Sequence, residues 1–226
     1  MKVVLDIETV QASKEEWAEL AGVSLAAADN LLEAGESAQQ DKDYERSSFD
    51  GTYSRIVCIG TIAFSDAMEP QGARAWYGGR EKELLRQFWD WIGRSRPSLY
   101  ITHNGLGFDL PFIKKRSIIQ QVKPAVEISL AKFRTEPVFD TLAIWSNWET
   151  RGWVKLDVLA RALGAETKSG SGKQVAEMWQ AGRGKEIAEY CLQDCYVTYA
   201  CYSKMTFREP LKSSDVLSGK ELIEAG

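Results

Sequence analysis

The sequence predicts an α/β domain in which a mixed central β-sheet is flanked by helices. Three observations carry that prediction. An apolar, β-branched run opens the chain, Lys2-Val-Val-Leu-Asp-Ile-Glu-Thr9, with acidic residues at its carboxyl end. A second run, Arg55-Ile-Val-Cys-Ile-Gly-Thr-Ile-Ala-Phe64, is followed by another near Ala73–Tyr77. Beyond these, strand and helix patterns alternate, the order of a sheet covered by helices.

The first run suits a central strand. From Ser13 the pattern turns helical: Ser13 and Glu16 have capping-box spacing, and Trp17, Leu20, Ala21, Leu31 and Leu32 offer apolar faces broken at Gly22 and Ser24. Residues 36–54, rich in Ser, Asp, Gln and Gly, predict a polar surface loop, so 13–54 reads as an insertion. Glu81–Gly93 places Leu84, Leu85, Phe88, Trp91 and Ile92 on one stripe of an amphipathic helix. Leu99–Thr102 reads as a strand and Leu106–Ser117 as a helix whose first turn accommodates Pro111. Val138–Thr141 is either a strand end or a helix entry. Leu156–Leu163 is a short helix stopped by Gly164, and Lys185–Met205 is the last long helix. The expected organisation is one domain over residues 1–206 and a polar, loosely held tail over 207–226.

The chain of 226 residues is 44% hydrophobic, 11% aromatic and 27% charged, enough for a real core and unlike a disordered or collagenous chain. Its apolar runs fall short of the ~20 residues that cross a bilayer, and Asp6 comes too early for a signal peptide, so no membrane association is expected. Cys58, Cys191, Cys195 and Cys201 form no CxxC pair and His103 is the lone histidine, which excludes a zinc site of ordinary spacing. Buried free thiols fit a reducing cytosol, hence a cytoplasmic location. The net charge of −4 argues against broad coating of duplex nucleic acid while leaving room for a local site.

Asp6 and Glu8 lie two apart on a strand, so both leave one face at the end that opens onto the usual α/β crevice. Asp109 falls in the first turn of a helix, where the dipole favours negative charge. Tyr190 and Asp194 are four apart and share a helix face. Each residue taken singly has a bland structural explanation. Four acids at element ends in three segments need a common one, and a carboxylate cradle for two divalent cations, Mg²⁺ or Mn²⁺, supplies it. Lys168–Lys173 departs from the phosphate-loop pattern at Thr167 and Gln174 and reads as a solvated basic loop. Lys114, Lys115 and Arg116 read as an outer helix face, Trp145, Trp148 and Trp153 as packing residues, and Asp140 and Asp157 as structural acids.

Asp6-Ile-Glu8, Asn104-xxx-Phe108-Asp109 and Tyr190-xxx-Asp194, in that order, resemble the three motifs of the DEDD superfamily of 3′–5′ exonucleases. Tyr190 points to the DEDDy branch, because Glu189 stands where the other branch carries histidine. His103-Asn-Gly, Phe108-Asp-Leu-Pro-Phe112 and Tyr190-Cys-Leu-Gln-Asp-Cys195 are similar to predicted exonucleases related to the proofreading domain of family B DNA polymerases. The resemblance implies a ribonuclease H-like fold. It also implies that Asp6, Glu8, Asp109 and Asp194 bind the cations, Tyr190 orients the attacking water, and Thr9, Asn104 and Phe108 meet the substrate, although for Phe108 the residue type favours packing under the helix. The implied reaction trims nucleotides from DNA 3′ ends, single-stranded or frayed, releasing nucleoside 5′-monophosphates. An RNA exonuclease of ribonuclease D type, a catalytically silent binding module and an unrelated nucleotide phosphohydrolase are the alternatives. A polymerase or repair partner is left open.

Overall fold

The computed structural model describes residues 1–25, 31–167 and 174–226. Its strands are β1 (Lys2–Val10), β2 (Arg55–Phe64), β3 (Pro70–Tyr77), β4 (Leu99–Thr102), β5 (Val138–Asp140) and β6 (Glu221–Glu224). They form one sheet in the order β5-β4-β1-β2-β3-β6. β1 pairs antiparallel with β2 and β2 with β3, whereas β1–β4, β4–β5 and β3–β6 are parallel, so the sheet is mixed as expected. The helices are α1 (Lys14–Ala21), α2 (Leu31–Ser47), α3 (Glu81–Ser95), α4 (Asp109–Ile119), α5 (Thr141–Trp145), α6 (Leu156–Ala162), α7 (Gln174–Gln180), α8 (Gly184–Met205) and α9 (Ser213–Val216). Val138–Thr141 is thus both a strand end and a helix entry.

Two cores lie on the two faces of the sheet. On one, Val4, Val10, Cys58, Ile62 and Phe64 meet Cys191, Leu192, Cys195 and Tyr199 of α8, with the Phe64 and Tyr199 rings stacked at 4.4 Å. On the other, Leu5, Ile7, Ile56 and Ile59 meet Leu84, Leu85, Phe88 and Ile92 of α3 and Phe112 and Ile113 of α4. The alternation of β1 between these cores fixes its register, since a slip of one residue would carry every side chain on it to the opposite core and turn Asp6 and Glu8 away from α8. The four cysteines are buried free thiols. Among the described residues, no helix is long and apolar enough to cross a membrane.

Three expectations are corrected. Much of the expected loop over 36–54 is helix, because α2 runs to Ser47. Ala38, Gln39, Gln40, Lys42, Glu45 and Arg46 are good helix formers, and tertiary contacts hold this polar helix: Tyr44 donates to Ala12 O at 2.9 Å and its ring meets Trp17 edge-on at 5.7 Å. The tail expected to be loose folds back instead. β6 lies beside β3, Leu222 and Ile223 reach opposite cores, and Ala225 N–H donates to Tyr77 O at 2.7 Å. A four-residue strand has too short a pattern to stand out from a polar tail. The Lys168–Lys173 reading lies outside the described residues.

Arg116 is the third correction: it is buried, not on an outer face. Its guanidinium donates to both oxygens of buried Glu81 at 2.9 and 2.6 Å and to Gly51 O at 3.0 Å. Glu81 also accepts from Ile56 N–H and Gln120, so this ion pair ties α3, α4 and β2 together. Removing one member of a buried pair strands the other, so Arg116→Ala is expected to destabilise the fold by about 3–5 kcal/mol in denaturant unfolding. The exposed Lys115–Asp50 pair, at 2.6 Å, serves as control, with Lys115→Ala costing about 1 kcal/mol or less. Equal losses for the two variants would contradict this reading.

Candidate active site

β1 directs Leu5 and Ile7 into the core beneath α3 and α4, and Val4 and Val10 into the core beneath α8. Asp6 and Glu8 share the face of Val4 and therefore look toward α8. The parallel pairing with β4 ends at Val4, opposite Ile101. Past that point Asp109 takes over: its Oδ1 accepts the Ile7 N–H at 3.0 Å, fixing the start of α4 beside the backbone between Asp6 and Glu8. On the other side, Cys191 Sγ of α8 lies 3.4 Å from Asp6 O and 3.6 Å from Asp6 Oδ2. Gly60, paired with Asp6 on β2, makes this approach possible, since a Cβ there would come within 2.7 Å of Cys191 Sγ.

Three distant segments thereby converge. Asp6, Glu8 and Cys191 present ligand atoms that all lie within 4.8 Å of one another. Burial first, then the nearby Cys191, Asp109, Asp194 and Glu8, hold the Asp6 carboxyl well above the usual carboxylate range. Asp109, 3% exposed, is pushed up to about 8, mainly by burial, against the opposing pull of backbone N–H bonds that include Ile7. The half-buried Tyr190 hydroxyl is pushed up by burial and then by Asp194, Glu8 and Asp6. Buried acids that raise one another's pKa ionise together only when a cation shares their charge, and carboxylate oxygens suit a hard divalent ion. The donor set fits such a cation, with the thiol of Cys191 as the one soft member.

The turn before α4 is held from below. Asn104 adopts a left-handed conformation, φ 63°, and its N–H and that of Leu106 each donate to the carboxylate of Asp140 at 2.9 Å. The same carboxylate caps α5 through the N–H groups of Leu142 and Ala143. Asp140 is therefore structural, as expected, and what it supports is the turn leading to Asp109. Gly105 is required there, because a Cβ would lie 2.4 Å from Thr102 Cβ. His103 completes the support with ring nitrogens 2.9 Å from Thr141 Oγ1 and 3.2 Å from Val154 O.

The structure thus gathers Asp6, Glu8, Asp109, Tyr190 and Asp194. Asn104 lies on the turn that leads to Asp109, held there by Asp140, and Thr9 is half-buried where the β1–β2 register shifts. Phe108 is not gathered: it packs on Phe112 at 5.3 Å and joins the core on the opposite face of the sheet. Cys191 went unnoticed in the sequence, although its place three residues before Asp194 put it on the same helix face. Trp145 and Trp153 are 45% and 57% exposed, so of the core and edge packing that their sequence clustering suggested, neither takes the core part.

A family profile described as a predicted 3′–5′ exonuclease related to the exonuclease domain of PolB matches residues 49–221. Asp109, Tyr190 and Asp194 fall inside that span. Asp6 and Glu8 fall outside it and are joined to it by the geometry of β1. The chain is 29% identical over 138 residues to a DNA polymerase of Pyrococcus glycovorans and 28% identical to one of Thermococcus gorgonarius. These alignments take in 53% of this chain, which spans 17% of the length of each polymerase. The family B DNA polymerase of Pyrobaculum calidifontis superposes with a TM-score of 0.58 and 13% identity, over 91% of this chain and 24% of that one. That similarity establishes the fold, ribonuclease H-like.

Two outcomes are expected. Asp109 holds its proton more tightly folded, at about 8, than unfolded, near 3.8, so its contribution to stability is full at low pH and is lost as the pH rises through 8. In chelator, the melting temperature should therefore fall between about pH 5 and pH 8, and fall less in Asp109→Asn. Equal falls in both proteins would remove Asp109 as the cause. Asp140→Asn turns an amide N–H toward backbone donors and should cost about 1–3 kcal/mol in denaturant unfolding, whereas an unchanged midpoint would show that the turn does not depend on Asp140.

Proposed function

Because this chain belongs to the family of predicted 3′–5′ exonucleases related to the exonuclease domain of PolB, we propose that it hydrolyses the terminal phosphodiester of a nucleic acid 3′ end. The observation that carries this reading is the convergence of acids from β1, α4 and α8 on one crevice, with Tyr190 beside them. In the reaction, a water oxygen bonds to the terminal phosphorus and the bond from phosphorus to the 3′-oxygen breaks. A nucleoside 5′-monophosphate leaves, and the shortened strand carries a new 3′-hydroxyl.

Asp6, Glu8, Asp109 and Asp194 would hold two divalent cations, Mg²⁺ or Mn²⁺, whose chemistry when bound is to acidify the attacking water and to stabilise the departing 3′-oxygen. Tyr190 stays protonated at neutral pH, since its surroundings push its pKa upward, so it orients the water by a hydrogen bond and does not take its proton. Asp109, fixed by the Ile7 N–H, keeps its carboxylate aimed without help from substrate. Asn104 and Thr9 border the place for the terminal nucleotide, and Phe108 supports the turn from behind by packing. DNA is the proposed substrate, because the curated relatives are DNA polymerases. The end must be single-stranded or frayed for its last phosphodiester to reach the crevice. Whether a polymerase or repair protein delivers it, the chemistry here needs only a free 3′ end.

Strands labelled at the 5′ end, in parallel DNA, RNA and 3′-mismatched duplex forms, test this on a denaturing gel. The expected product is a ladder shortening from the 3′ end that requires Mg²⁺ or Mn²⁺ and is slowed by about 10²-fold or more in Asp6→Ala and Tyr190→Phe. Faster trimming of RNA would move the assignment to the ribonuclease alternative. No trimming of any strand by the folded protein would overturn the exonuclease reading in favour of a binding module.

A further inference from the structure

The β4–α4 turn has a second side. It walls a cavity of about 300 Å³ lined by Asn104, Leu106, Lys132, Asp140, Trp148 and Trp153. This is the small end of the range for ligand sites, room for one flat ring system. The indole of Trp148 is half-buried, that of Trp153 is 57% exposed, and Phe133, 74% exposed, lies against Trp148 with centroids 5.3 Å apart. Large aromatic surface left open in this way marks a contact that water does not satisfy.

The backbone is bent to present these rings. Phe133 and Trp148 hold left-handed conformations with φ of 62° and 64°, which bulky side chains rarely adopt. The Trp148 N–H donates to Ala143 O at 2.7 Å, locking the bend onto α5. Strain of this kind persists only where the surroundings enforce it, and it concentrates at functional positions. The cations are also local: Lys132, Arg134 and Arg151 are exposed along the segments that carry the aromatic residues, in a chain whose net charge is −4.

We propose that this cavity receives one unpaired base of the single strand whose 3′ end lies at the acids, with Lys132 on its backbone phosphate. The proposal rests on the exonuclease reading and adds a binding subsite to it. Flat indoles accept the π-face of any base, so the subsite is sequence-tolerant. Asp140 does not read the base edge, because its carboxylate already accepts four backbone N–H groups. The shared wall gives the geometry its sense: the turn that ends in Asp109 also borders the cavity, so a strand crossing the carboxyl ends of β1, β4 and β5 meets both.

The test is the initial rate of nucleotide release from 5′-labelled single strands in Mg²⁺ by wild type, Trp153→Ala and Lys132→Ala. Both side chains are exposed, so both variants should fold. The expected result for Trp153→Ala is a KM raised by about 5- to 100-fold with kcat within about twofold. Lys132→Ala should raise KM less and flatten its salt dependence. Strands carrying one abasic residue at successive positions from the 3′ end localise the contact. A single internal position should raise the wild-type KM and add nothing in Trp153→Ala. An unchanged KM in both variants, or a flat abasic scan, with trimming intact, overturns the subsite and leaves the exonuclease reading standing; a partner protein's aromatic side chain in the cavity would give that result. A wild-type chain that trims no strand overturns that reading, and the subsite with it.

Discussion

Gathering like charges on one buried strand opposes folding, and much of this structure exists to hold them there. Asp6 and Glu8 interrupt the apolar face of β1 that packs on α8, and Asp109 arrives from α4 on the other side of the strand. Each device that brings them together is specific. Ending the β1–β4 ladder at Val4 frees the Ile7 N–H for Asp109, and Gly60 lets the α8 backbone approach Asp6. The cores on the two faces of the sheet supply the stabilisation against which the repulsion is set.

The buried acids elsewhere in the chain show how different this site is. Glu81 is matched by the Arg116 guanidinium, and Asp140 is saturated by four backbone N–H groups. Both are answered by fixed partners and serve the architecture. At Asp6 the dominant neighbours are other acidic groups, which raise its pKa together with burial. An environment that disfavours its own charges is arranged for a cation to complete, and acids of this kind belong to function more than to stability.

The fold was largely legible because β1 and β2 are continuous apolar runs and α3 carries a helical stripe over enough residues to be read. α2 and β6 were not. A helix that is polar all round is held by contacts such as Tyr44 with Ala12 O, and a four-residue strand by its neighbour, and neither leaves a periodic trace. The candidate site was legible as an ordered set of acids at element ends. Arg116 was misread because the basic run Lys114-Lys115-Arg116 does not say which member turns inward. Cys191 shares a helix face with Asp194, but its place against Asp6, like the cavity beside the turn, emerges only when β1, α8 and the segment around Trp148 are placed in space.

The central claim is that acids from three separate segments form one cation-binding centre. Calorimetric titration of the chelator-treated protein with Mn²⁺ tests it without any substrate. About two ions per chain are expected, bound more tightly as the pH rises and lost when Asp6 or Asp194 is replaced by alanine, with the fold retained. A folded protein that takes up no Mn²⁺, or binds it equally well without those two carboxylates, would contradict the account.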